Sequence, residues 1–221
     1  MKGKRIVLLI ALIIIADQVL KIWIKTHYTD RESHAVIGKW FELLFIENEG
    51  MAYGWKFGGT AGKLLLTLFR LGAVIFGVFY IHKIIQKKYH PGFIICAALI
   101  FSGALGNLID SMFYGLIFDK STFDHAAVLF PPHGGYAGFL HGEVVDMLHF
   151  PIIRIEKMPS WIPVWGGEEF EFFSPIFNIA DASITTGVLA LLVFQRKFFG
   201  HDHHKASEES KAIVNDEAGA Y

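Results

Sequence analysis

Two short blocks in this chain repeat one chemistry. Asn107-Leu108-Ile109-Asp110 and Asn178-Ile179-Ala180-Asp181 each place an amide three residues before a carboxylate, and each lies at the margin of an apolar run, Phe93 to Met112 and Ile176 to Phe194. Asp17 lies inside a third apolar run, Ile6 to Ile24, with Lys21 one turn on. A fourth acid, Asp146, interrupts the apolar stretch Gly142-Glu143-Val144-Val145-Asp146-Met147. Carboxylates beside amides can share a proton, activate water and protonate a leaving amine, which is the chemistry of amide hydrolysis. An Asn at i−3 stands on the same helix face as its Asp and could orient it. A carboxylate at the centre of a membrane helix costs roughly 2.5–3.5 kcal/mol on the insertion scale, so a chain that keeps several of them uses them.

The elements that must position these groups are membrane spans. The chain has 221 residues, 53% of them hydrophobic and 21 of them Phe, and a mean hydropathy of +0.42. Four runs reach the roughly 20 residues a bilayer requires, about 6–24, 64–85, 93–112 and 176–195, and none has proline in its interior. Pro91 and Pro175 stand before the third and fourth, where a helix start tolerates proline. The N-terminus (Lys2, Lys4 and Arg5, then apolar residues) resembles a signal peptide but reads as a retained anchor, because the apolar character resumes through Ile24 without a small-x-small cleavage site. Lys and Arg cluster before span 1, between spans 2 and 3 (Lys83, Lys87, Lys88) and after span 4 (Arg196, Lys197), which places both termini in the cytoplasm and two long loops, about 25–63 and 113–175, outside.

Depth then gathers the polar residues. Asp17 lies twelve residues beyond Arg5, roughly 18 Å, and Asp110 seventeen beyond Phe93, roughly 26 Å, both on outward-running spans. Asp181 is five residues into the inward-running fourth span. Asp17, Asn107, Asp110, Asn178 and Asp181 share the outer stratum, and Arg70 falls at a similar depth. Asp17 and Lys21 at i, i+4 can neutralise each other. In the first outer loop, Trp40 to Ile46 and Met51 to Trp55 flank an Asn/Gly turn and read as a hairpin, a small sheet on the outer surface. The tail 201–221 lacks an apolar period and reads as a disordered cytoplasmic segment behind a single membrane domain, 1–200.

Other chemistries find no support. No basic stripe with interleaved aromatics suggests nucleic acid. The single cysteine, Cys96, excludes a disulfide framework. His141 and His149 flank Asp146 without the spacing of a metal motif, so no metal or other cofactor is expected. No nucleophile elbow or phosphate loop is present. A small carboxylate-based proton-coupled transporter is the alternative reading, and four spans are few for it.

Five blocks, in order, resemble the bacterial lipoprotein signal peptidases, or signal peptidase II. They are Asp17-Gln18-Val19-Leu20-Lys21, Asn48-Glu49-Gly50-Met51-Ala52, Gly103 to Asp110, Gly142 to Asp146, and Phe177-Asn178-Ile179-Ala180-Asp181. The resemblance covers about residues 5–195. Together with the residue pattern it points to an α-helical membrane protein of four spans with a small outer-face β-sheet from the first outer loop and an enlarged second outer loop. It implies an intramembrane aspartyl endopeptidase that cleaves diacylglyceryl-modified prolipoproteins before the lipid-modified cysteine, in the bacterial inner membrane, as a monomer among membrane lipid, and that is blocked by globomycin-type inhibitors. Asp146 and Asp181 match the family's catalytic aspartates. Asn107, Asp110, Asn178, Ala180, Asp17 and Lys21 match supporting positions, and Asn48 with Gly50 matches a substrate-contacting loop. The family follows the third block with Arg, and here Ser111 stands instead; the segment 111–175 is also longer than the family pattern.

Overall fold

The structure, a computed structural model, describes residues 3–48, 59–155, 157–161, 163, 166–168, 170–172 and 175–218. Gly50 and the run Met51 to Trp55 lie outside these residues.

Four long helices carry the apolar runs: α1 (Gly3–His27), α2 (Gly59–Gln86), α3 (Pro91–Ile117) and α4 (Ile179–Ala218). All four are long and apolar enough to cross a membrane, α4 through Phe199. The apolar runs are helical because an α-helix satisfies its own backbone groups, the requirement that hydrocarbon imposes. Pro91 occupies the first turn of α3, and the His90 side chain caps it by accepting from Gly92 N–H at 3.1 Å.

The helices α1, α2 and α4 turn apolar side chains outward (Val7, Phe69, Phe79, Val193), the surface a helix presents to lipid, whereas half of α3 is buried among the others. Ile6, Ile81, Ile84, Phe93, Ile94 and Ala98 pack the end of the bundle near the N-terminus. At the opposite end Ile24, Tyr28, Phe45, Tyr114, Phe118, Val145 and Met147 seat a sheet on α1 and α3.

That sheet has the order β1-β2-β3-β6, with β1 at Ser33–Ile37, β2 at Phe41–Asn48, β3 at Val144–His149 and β6 at Ile176–Phe177, all antiparallel. The small outer sheet is present, while the second arm of the expected hairpin, Met51 to Trp55, is not among the described residues. The Trp40 to Ile46 run pairs backward with β1 and, on its other edge, with β3 from the second loop, so the sheet is built from both outer loops. Pro175 precedes β6 rather than α4, because Ile176 and Phe177 pair with His149 and Leu148 before Asn178 opens the helix. A separate two-stranded sheet joins β4 (Ile153–Ile155) to β5 (Phe170–Phe172).

The long second loop folds back along α3. Phe130, Tyr136, Ala137, Leu140 and Gly142 donate their N–H groups to the carbonyls of Ile117, Phe118, Gly115, Met112 and Ser111. Gly115 and Ile117 are among the last four residues of the helix, whose carbonyls no residue within it can satisfy, and the other contacts hold the loop against the preceding turn and the C-cap Phe118. Gly142 is required here, since a Cβ would sit 2.0 Å from the Asp110 carbonyl oxygen. The helix α4 runs on past its apolar part to Ala218 through helix-forming Ala206, Glu208, Glu209, Lys211 and Ala212.

Candidate active site

Asp146 reaches the site from the middle of β3. Strand alternation sends Val145 and Met147 into the core under the sheet and Asp146 to the other face. The register sets Asn48 opposite Val144, one diagonal step from Asp146 on that face, and Asn48 Nδ2 donates to Asp146 Oδ2 at 3.2 Å. Asp181 comes from the first turn of α4.

Asn178 is the N-cap that starts α4: its Oδ1 accepts from Asp181 N–H at 2.8 Å. With the amide oxygen committed to the helix, Nδ2 faces Asp146 Oδ1 at 2.7 Å. Asn107 is fixed by the same logic on α3. Its Oδ1 accepts from Lys21 Nζ at 2.9 Å, which turns its Nδ2 to Asp181 Oδ1 at 2.7 Å. The expected pairing of each Asn with the Asp three residues on is therefore corrected. On one helix face Asn107 would orient Asp110; instead the side chains cross between elements, Asn107 orienting Asp181 and Asn178 orienting Asp146. The reason is that Asp110 is already engaged by Lys21 (2.7 Å) and Gln18 (2.8 Å).

Asp17 and Lys21 form the predicted pair at 2.8 Å, but Lys21 also binds Asp110, and all three side chains are buried. Asp17 reaches α4 as well. Its Oδ1 accepts from Ala180 N–H at 2.9 Å, so a negative group from α1 meets the positive end of that helix. Gly103 makes the approach of α3 and α4 possible, because a Cβ there would lie 2.1 Å from the Ala180 carbonyl oxygen.

Burial pushes the Asp146 carboxyl up to about 7, and the charge of Asp181 pushes in the same direction; the hydrogen bond from Asn48, the Lys21 charge and the bond from Asn178 oppose it. The two carboxyls thus feel one another within one cluster. Asp181 and Asn48 keep part of their surface exposed, whereas Asp146, Asn107 and Asn178 are buried. Of the two carboxyls, Asp181 is the one that water can reach.

Sequence reasoning missed three contributors. Gln18 donates to Asp110 and to Asp17 (3.2 Å) and accepts from Tyr114 at 3.1 Å; an amide in an apolar run was its signal. Arg70, placed by depth alone, donates from Nη1 to Ser111 Oγ at 3.1 Å and lies in electrostatic range of Asp181, Asp110 and Asp146. Lys25 is buried, paired with Glu47 and ringed by Phe45, Phe118 and Tyr136, which anchors the end of β2 beside Asn48. His149 lies on the opposite face of β3 from Asp146 and contacts Glu42 at 2.6 Å.

Residues 9–197 match the family model described as signal peptidase (SPase) II. The chain belongs to the signal peptidase II family. A lipoprotein signal peptidase of Porphyromonas gingivalis is 47% identical over 193 residues, covering 87% of this chain and 83% of that relative. One from Amoebophilus asiaticus is 33% identical over 192 residues, covering 84% and 75%. Two solved bacterial membrane enzymes share the fold. The first has a TM-score of 0.56 at 24% identity, over 88% of this chain and 89% of that one. The second has a TM-score of 0.55 at 25% identity, over 86% and 92%. This signal peptidase II is therefore a multi-pass membrane peptidase, and the transporter reading is set aside.

Proposed function

We propose that this peptidase removes the signal peptide from diacylglyceryl-modified prolipoproteins by an aspartyl mechanism, cutting before the lipid-modified cysteine, with Asp146 and Asp181 as the catalytic pair. The observation that carries the reading is the crossed pair of amides: Asn178 and Asn107 each commit their oxygen elsewhere and give an N–H to one of the two carboxyls. Such an arrangement fixes both acids without neutralising either.

In the mechanism, Asp146 carries the shared proton and Asp181 is ionised. Asp181 takes a proton from water as the oxygen adds to the scissile carbonyl carbon, and Asp146 gives its proton to the carbonyl oxygen. The tetrahedral intermediate collapses, the C–N bond breaks, and the leaving nitrogen takes the proton from Asp181. The hydroxyl proton of the intermediate returns to Asp146, which restores the pair. Lys21, Asp17, Asp110 and Gln18 do not touch the reacting atoms; they hold Asn107 and the start of α4 in place.

The proposed setting is the bacterial inner membrane, with both termini cytoplasmic and the pair toward the outer face. Lys4, Arg5, Lys83, Lys87, Lys88, Arg196 and Lys197 occupy the end of the bundle remote from the sheet. At the outer interface, the acyl chains on the substrate cysteine contribute about 0.8 kcal/mol for each methylene they bury. Globomycin-type compounds are the proposed inhibitors, and the protein acts as a monomer.

The test is cleavage of a lipidated precursor by purified protein in detergent. Asp146→Asn and Asp181→Asn should each abolish nearly all turnover, and the double variant should be little worse, since the two act as a unit. Near wild-type cleavage by either single variant, folded and monodisperse, overturns the assignment.

A further inference from the structure

Between α3 and β3 the second outer loop forms a lobe, residues 118–141, that supplies no group to the proposed mechanism. It is nonetheless fastened on more than one side. Its bonds to α3 are joined by bonds to α1 and the turn after it: Ser121 Oγ accepts from Lys25 Nζ at 3.2 Å, Ala127 N–H donates to the Lys25 carbonyl at 3.1 Å, and the Thr122 carbonyl accepts from Asp30 N–H at 2.9 Å. From this frame Lys120 reaches back to the sheet. Its Nζ is ion-paired with Glu143, lies 3.5 Å from Glu47 Oε2, and sits 5.2 Å over the ring of Tyr136. The Tyr136 hydroxyl accepts from Glu143 N–H at 2.6 Å, so the lobe holds Glu143 by backbone and side chain together.

The two carboxylates that Lys120 joins stand at one end of a ladder. Glu47 immediately precedes Asn48, the last residue of β2, and Glu143 immediately precedes Val144, the first of β3. Asn48 and Val144 are the end pair of the β2–β3 ladder. That ladder is irregular between Leu43 and Ile46, so Ile46–Asp146, Glu47–Val145 and Asn48–Val144 form a short run of their own at its open end. The ends of such elements open at little free-energy cost. Asn48 donates to Asp146 Oδ2 at 3.2 Å from this end pair, so fraying there moves an amide that bears on the carboxyl. Lys25 also holds Glu47 from α1, and Lys63 approaches Glu143 from α2 at 4.0 Å, whereas Lys120 spans both carboxylates.

We propose that Lys120 is a positioning residue for catalysis: it clips Glu47 to Glu143 across the open end of the β2–β3 ladder and so holds Asn48 against Asp146. This rests on Asp146 being one of the catalytic pair. Lys120 itself touches no reacting atom. Its side chain is 49% exposed, and ion pairs open to water in that way add little to global stability. Placement is far more sensitive, since a shift of about 1 Å among groups that align a reaction can cost about 100-fold in rate. The clip therefore registers in turnover and hardly in melting.

The experiment measures kcat and KM on a lipidated precursor peptide in detergent, with melting temperature alongside. Lys120→Met keeps the apolar stem over Tyr136 and removes the charge. It should lower kcat about tenfold, leave KM within about twofold and leave the melting curve in place. Lys120→Arg can pair with both carboxylates and should stay within about threefold of wild-type kcat. The decisive comparison is made in Asn48→Ala, which already lacks the amide: adding Lys120→Met there should cost nothing further, because the two changes remove one interaction. Wild-type kcat in Lys120→Met, a melting temperature that falls in step with activity, an Arg variant no better than Met, or losses that multiply in the double variant each overturn the proposal. Activity retained in Asp146→Asn, run alongside, would instead overturn the reading of the catalytic pair.

Discussion

Replacing Lys21 by methionine keeps nearly the side-chain volume and removes one charge from the most buried part of the site. The ammonium is ion-paired with Asp17 at 2.8 Å and with Asp110 at 2.7 Å and donates to Asn107 Oδ1 at 2.9 Å. After the change, two carboxylates that are 1% and 0% exposed face each other with no cation between them. Breaking a buried pair by removing one partner costs about 3–5 kcal/mol, because the remaining charge is uncompensated. At roughly 2–4 °C for each kcal/mol in a chain of this size, melting should fall by ~6–20 °C. Asn107 also loses the partner that fixes its amide, so activity at a permissive temperature should fall along with stability. Thermal unfolding of purified protein in detergent, followed by intrinsic tryptophan fluorescence, reads the first effect. Adding Asp17→Asn and Asp110→Asn to Lys21→Met should raise the melting temperature again, since the orphaned charges are gone. A Lys21→Met protein that melts within ~2 °C of wild type refutes the argument that Lys21 is the keystone of this cluster.

The Asp146 carboxyl, held up at about 7 against an ordinary value of 3.8, makes two pH predictions. Catalysis needs the proton, so kcat/KM should decline as pH rises through about 7, and a flat profile from pH 6 to 9 would contradict it. The folded state binds this proton more tightly than the unfolded chain does, so the group's contribution to stability is complete below about 4 and is lost as pH rises toward 7. Gly103→Ala should destabilise by more than the usual overpacking cost of about 1–3 kcal/mol, because the Cβ would meet a backbone carbonyl at 2.1 Å; an unaltered melting temperature would show that α4 can shift freely. Asn178→Asp should keep the cap on α4 but lose the donor to Asp146, giving a stable protein with turnover reduced more than tenfold. Asn178→Ala should lose both, including about 1 kcal/mol of capping, as a melting curve beside the activity assay would reveal.

The spans were legible because a bilayer demands long apolar runs, and the depth argument placed Asp17, Asn107, Asp110, Asn178 and Asp181 in one stratum before any contact was known. Depth fixes height along a helix but not rotation about it, which is why the direction of each Asn was misread. That direction depends on what claims the amide oxygen, and for Asn107 the claimant is a lysine 86 positions away in sequence. The pairing of β2 with β3 is invisible in the first loop for a related reason. A turn signal within a loop is local, whereas the partner β3 lies beyond two spans, and pairing at such separation leaves no local trace. Arg70 could be placed in depth but not in role, since its contact with Ser111 joins two helices whose mutual rotation the sequence does not state.

The bond from Ala180 N–H to Asp17 spans 163 residues, and it bears on the order in which the chain is made. At 5–20 residues per second, roughly 8–33 s separate synthesis of the first span from synthesis of the last. Through that interval Asp17 has only Lys21, on its own helix, to offset its charge, so an i, i+4 partner lets the first span enter the membrane before the rest exists. Asp110 arrives with the third span and Asp146 with the loop after it. Asn178 and Asp181 come last and together. A ribosome-bound chain therefore lacks one carboxyl of the proposed pair until its last span is made. On the proposed assignment, the site is completed only by the final helix.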